Sequence, residues 1–133
     1  MNVIFYTSKF DVIAQRLMGN IAPLIQHDKL EIVQTLEGLI QKLQAVILDY
    51  NKTIAVIITK DRDELNKIIK LGNFFDDLNI ILILPDREIN TMAMGHKIYP
   101  RFVSYIDGDF TEVKAVFEKL CGVQADTQLR AVC

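Results

Sequence analysis

Hydrophobic and polar positions follow two different rhythms along this chain. Five short apolar runs, Val3 to Tyr6, Leu30 to Val33, Thr53 to Ile58, Ile80 to Leu84 and Phe102 to Ile106, are rich in Ile and Val and lack strict alternation. That is the pattern of strands covered on both faces. Between them the apolar residues recur three and four positions apart. Leu65, Ile68, Ile69, Phe75 and Leu78 fall close to one helical face, as do Val113, Val116, Phe117 and Leu120. Strands separated by helices predict βαβ units, and hence a parallel sheet with right-handed crossovers.

Start signals support the helices. Ser8, Asp61 and Asp109 each precede an acid by three residues (Asp11, Glu64 and Glu112), which is the capping-box spacing. Thr35 is the expected cap of the second helix and Asp86 that of the fourth. Pro23 predicts a kink or break of the first helix near Gly19-Asn20. Residues 45–50 admit two readings. Ala45 to Tyr50 resembles a strand ending in an acid, yet Leu36, Leu39, Ile40, Leu43, Val46, Ile47 and Tyr50 keep a helical period. A strand there would also leave only Asn51-Lys52 before the next run, forcing a hairpin into a parallel pattern. The period favours one long second helix. The whole predicts βαβαβαβαβα in one domain over residues 1–122, followed by a tail over 123–133.

Fifteen Lys and Arg against seventeen Asp and Glu leave a net charge of −2 over 133 residues, half of them hydrophobic. So balanced a charge, with no basic run, argues against a nucleic-acid binder. The apolar fraction excludes a disordered chain. No stretch reaches the roughly 20 apolar residues that cross a bilayer, and the N-terminus lacks the form of a secretory signal, so no membrane role and a cytoplasmic setting are expected. Cys121 and Cys133 make neither a disulfide framework nor a zinc spacing. His27 and His96 have no Cys or Ser partner at useful spacing and read as solvent-exposed.

In a doubly wound sheet, ligands gather beyond the carboxyl ends of the strands. The residues there are Thr7, Ser8 and Lys9 after the first run, Thr59, Lys60, Asp61 and Asp63 after the third, Pro85 to Glu88 after the fourth, and Asp107 to Asp109 after the fifth. Five βα units of this length, with Tyr105-Ile106-Asp107-Gly108-Asp109-Phe110 leading into the last helix, resemble the receiver domains of bacterial response regulators over about residues 1–122. The resemblance implies a three-layer, flavodoxin-like fold with a five-stranded parallel sheet in order 2-1-3-4-5 and helices on both faces.

Receivers accept a phosphoryl group on an Asp that ends the third strand. Two acids after the first strand hold Mg²⁺, a Ser or Thr ends the fourth strand, and a Lys ends the fifth. Here Thr7 and Ser8 stand at the acid pair and Thr59 at the acceptor. Pro85-Asp86 replaces the hydroxyl and Asp107-Gly108 the Lys. A neutral hydroxyl does not serve as both metal ligand and nucleophile, so a degenerate receiver without phosphoryl transfer is expected. Asp49 is the one substitute acid, if residues 45–50 form a strand. The expected function is a stand-alone signalling or regulatory module, not an enzyme, that binds a partner protein or a second copy of itself.

The resemblance also points to a pairing face made by the fourth helix, fifth strand and fifth helix, where Met92, Met94, Tyr99 and Tyr105 are the candidate contact residues. Met adapts to irregular contact surfaces, whereas Phe102 and Phe117 read as core. An alternative function is a sensor of a small anion held by Thr7, Ser8, Lys9, Thr59 and Lys60 beside two helix N-termini. No glycine-rich loop accompanies them, so no nucleotide or other cofactor is implied. Asp61, Asp63, Asp86, Asp107 and Asp109 share the same edge, but caps account for most of them and no metal is assigned.

Overall fold

The structure is a computed structural model that describes residues 2–25, 29–47, 53–76 and 78–120. In chain order it runs β1 (Asn2–Tyr6), α1 (Val12–Ile21), β2 (Leu30–Val33), α2 (Leu36–Ile47), β3 (Thr53–Ile58), α3 (Arg62–Ile69), β4 (Asn79–Leu84), α4 (Ile89–Gly95), β5 (Phe102–Tyr105) and α5 (Thr111–Leu120). All four strand pairings are parallel and the order is β2-β1-β3-β4-β5. This is the flavodoxin-like arrangement.

Strand pleating divides the core into two layers. Val3, Phe5, Ile54, Val56, Ile58, Ile81 and Ile83 face α1 and α5, where Leu17, Ile21, Val113 and Phe117 meet them. Ile4, Tyr6, Ala55, Ile57, Leu82 and Leu84 face the other way, onto Leu39 and Leu43 of α2, Leu65 and Ile68 of α3, and Met92 and Met94 of α4. The central strands β3 and β4 are buried on both sides, which is why they read as unbroken apolar runs. Among the described residues no helix is long and apolar enough to cross a membrane.

Several boundaries differ from expectation. The N-cap of α1 is Asp11, whose carboxylate accepts the Ala14 amide at 3.1 Å, and Ser8 lies in the loop before it. The first helix passes unbroken through Gly19-Asn20 and ends at Ile21. Pro23 sits in a 3-10 turn over Ala22–Leu24, where it stands in the first turn and its missing amide has no intrahelical partner to lose. The third helix ends at Ile69, and Phe75 reaches the core from a separate 3-10 turn, Gly72–Phe75. The fourth helix starts at Ile89, so Asp86 is too early to cap it and instead accepts the Glu88 amide at 3.0 Å.

Thr35 caps α2 by accepting the Gly38 amide at 3.0 Å, and Asp61 caps α3 by accepting that of Glu64 at 2.7 Å. Asp109 acts one residue ahead of the expected position, because Phe110, at φ 67°, occupies the turn into α5. Residues 45–47 are helical, as the period predicts. Asp49, Tyr50, His27, both cysteines and the tail lie outside the described residues.

Candidate functional site

The carboxyl edge between β1 and β3 collects the five residues of the anion reading. Thr7 continues β1, its amide donating to Val33 O at 3.1 Å, and its buried hydroxyl donates to Lys9 O at 2.8 Å. Thr59 continues β3 in the same way. Its amide and hydroxyl both donate to Ile83 O, at 2.9 and 2.7 Å, and the residue is fully buried. Ser8 and Lys9 are exposed at the rim. The Lys60 ammonium bonds Asp11 Oδ2 and Lys9 O, the latter at 3.2 Å. The five residues are therefore brought together, but three of them direct their donors back into the protein.

Three residues outside the expected five complete the edge. Glu64 accepts the Lys60 amide at 2.7 Å with one carboxylate oxygen and the Tyr6 hydroxyl at 3.2 Å with the other. Asp11 reaches Lys60 from the α1 N-terminus. Burial, and then the Glu64 charge, push the Tyr6 phenol well above its ordinary pKa. The Lys60 hydrogen bond holds the Asp11 carboxyl below the usual carboxylate range. The capping-box spacing flags Glu64 and Asp11 locally. Nothing in the sequence joins Tyr6 to Glu64, which lies 58 positions away.

The remaining acids of this edge are each engaged. Asp63 pairs with Lys67 at 3.2 Å along α3. Asp86 accepts from the Thr91 hydroxyl first and the Glu88 amide second, which lowers its pKa, and Arg62 lies 3.8 Å away. Arg62 also donates to Thr91 at 2.7 Å and to Glu88 at 2.9 Å. Asp107 takes a two-point contact from Arg87, at 3.0 and 3.3 Å, and this hydrogen bonding lowers its pKa. Among the described residues no three His, Cys, Asp or Glu side chains are placed to share a metal ion.

The candidate contact residues separate. Met92 and Met94 are partly buried against the α2/α3/α4 layer, and Tyr105 packs on the same layer with the Arg87 guanidinium 4.2 Å above its ring. Tyr99 is 89 % exposed, in a left-handed conformation (φ 53°), on the rim of a 290 Å³ cleft at the amino end of the sheet. His96 is exposed, Phe117 is fully buried, and Phe102 packs on the core from the edge strand. No protein-family model, curated protein or solved structure matches the chain.

Proposed function

We propose that the protein is a receiver-like regulatory module of the cytoplasm that acts by binding a partner protein or a second copy of itself, without phosphoryl transfer. One observation carries this reading. The edge where phosphoryl chemistry needs convergent, available carboxylates presents Thr7 and Thr59 hydroxyls turned onto backbone carbonyls, with a Lys60–Asp11 pair beside them. A buried hydroxyl bonded to a carbonyl is neither an ionised nucleophile nor a charged metal ligand.

The anion-sensor reading has less support. Lys60 already has its carboxylate, and one first-turn amide of each helix, Ala14 of α1 and Glu64 of α3, already bonds its cap, Asp11 or Asp61. These are the charge and donors a bound anion would use.

Incubation with acetyl phosphate and Mg²⁺, read by intact mass, tests the proposal. An unmodified protein is expected. Covalent phosphorylation of the folded chain would overturn it, and thermal stabilisation by phosphorylated metabolites that is lost in Lys9→Ala would favour the sensor.

A further inference from the structure

Charges at the carboxyl edge of the sheet are paired within the protein: Lys60 with Asp11, Arg62 with Glu88 and Arg87 with Asp107. The amino edge differs. There the 3-10 turn Gly72–Phe75 after α3 and the turn His96–Ile98 after α4 border the 290 Å³ cleft. Phe75 and Ile98 are buried, Leu78 is half-buried, and all three join the α2/α3/α4 layer, so the cleft has an apolar floor. Its charged residues are Asp76 and Lys97, both exposed. Among the described residues neither of these side chains has an ion-pair or hydrogen-bond partner.

Tyr99 completes the rim. It is a bulky residue at φ 53°, and it is so exposed that packing does not account for its left-handed backbone. Backbone outliers of this kind gather at ligand clamps.

We infer that this cleft binds a small zwitterion of the amino-acid type, with its carboxylate on Lys97, its ammonium on Asp76 and an apolar side chain on the floor beside Tyr99. The volume lies at the lower end of ligand pockets, which start near roughly 300 Å³, so the occupant is one small molecule. Charge selects its type. A simple anion is drawn by Lys97 and repelled by Asp76, and a simple cation meets the reverse. Two uncommitted opposite charges on one cleft suit a ligand that carries both. The floor of Phe75, Leu78 and Ile98 then favours leucine or phenylalanine over glycine, because apolar surface leaves water on binding. The Tyr99 ring adds a face for an ammonium or an aromatic side chain. This site goes beyond the interaction-module reading and does not depend on it.

Isothermal titration calorimetry of the intact chain with L-leucine and L-phenylalanine tests the inference. Saturable one-to-one binding is expected, with a Kd on the order of 1 mM or below. Phenethylamine and 3-phenylpropionate each keep one of the two charges, and each is expected to bind at least about tenfold more weakly than L-phenylalanine. Asp76→Asn and Lys97→Met are each expected to weaken L-phenylalanine binding about tenfold, and Asp76→Asn to erase its advantage over 3-phenylpropionate. Both residues are exposed, so these variants keep the fold. A Cβ at Gly72 meets no atom within 4 Å, so Gly72→Leu adds a side chain in open space at the cleft and is expected to abolish binding with unchanged circular dichroism. Failure of both amino acids to bind at about 10 mM, or binding that all three substitutions leave unchanged, would overturn the inference. So would phenethylamine or 3-phenylpropionate binding as tightly as L-phenylalanine. The acetyl phosphate experiment reads the opposite edge, so the failure of one proposal is distinguishable from the failure of the other.

Discussion

Lys60, two residues beyond β3, forms an ion pair with Asp11, the N-cap of α1, and so ties together two loops 49 positions apart. The pair is partly shielded, with 21 % and 30 % of the two side chains exposed. Asp11 therefore does two jobs with one carboxylate: it caps a helix and neutralises a lysine.

Separating those jobs gives a pH-dependent prediction. The folded-state pKa of Asp11 is lowered, chiefly by Lys60. Its contribution is therefore complete above the unfolded value of about 3.9 and is lost as pH falls through the folded value. Asp11→Asn keeps a cap acceptor but no charge. It is expected to cost about 1 kcal/mol at pH 7 and less near pH 2. Urea unfolding at the two pH values checks this, and an equal loss at both would assign the effect to the cap alone.

Tyr6 titrates in the opposite sense. Its phenol is raised above the ordinary value of about 10, so its contribution is complete below that pH and fades as pH rises toward the folded value. Absorbance titration is expected to show one tyrosine that ionises only with alkaline unfolding. Tyr6→Phe should abolish that late step and cost about 1 kcal/mol at pH 7, since Glu64 loses one donor.

These two contacts mark where the sequence stops being legible. Strand identity follows from local patterns, because β3 and β4 are covered on both faces and carry no polar residue from Ile54 to Ile58 or from Ile80 to Leu84, whereas the order of the strands in the sheet is implied only by the resemblance to receivers. Thr35 and Asp61 are legible as caps for the same local reason. Ser8 and Asp11 are both competent acceptors three residues apart. The choice of Asp11 follows from a tertiary partner, Lys60, and a turn in which the Asp11 amide donates to Lys9 O at 2.9 Å. The Tyr6–Glu64 contact depends on β1 and β3 being neighbours. The exposure of Tyr99, and the partial burial of Met92 and Met94, depend on how closely α4 approaches β4.

That approach sits at Gly95. A Cβ there would lie 3.0 Å from a Cδ of both Leu82 and Leu84, each fully buried. Gly95→Val adds three carbons where there is no free space and is expected to cost about 2 kcal/mol. Thermal unfolding should show a clear fall in Tm. Gly19→Ala, with nothing within 4 Å of its Cβ, should by contrast stabilise by about 0.5–1 kcal/mol through helix propensity.

Tyr99 offers a test of backbone strain free of packing. It is 89 % exposed, closes the 3-10 turn after α4 by donating its amide to His96 O at 3.1 Å, and holds φ at 53°. An L-residue in that region costs about 1 kcal/mol relative to glycine. Tyr99→Ala and Tyr99→Gly remove the same ring, so their difference isolates the backbone. The glycine variant is expected to be the more stable by about 0.5–1 kcal/mol, although glycine adds entropy to the unfolded chain. Chemical denaturation of the two variants side by side measures that difference. A more stable alanine variant would mean that the turn relaxes out of the left-handed region once the ring is gone.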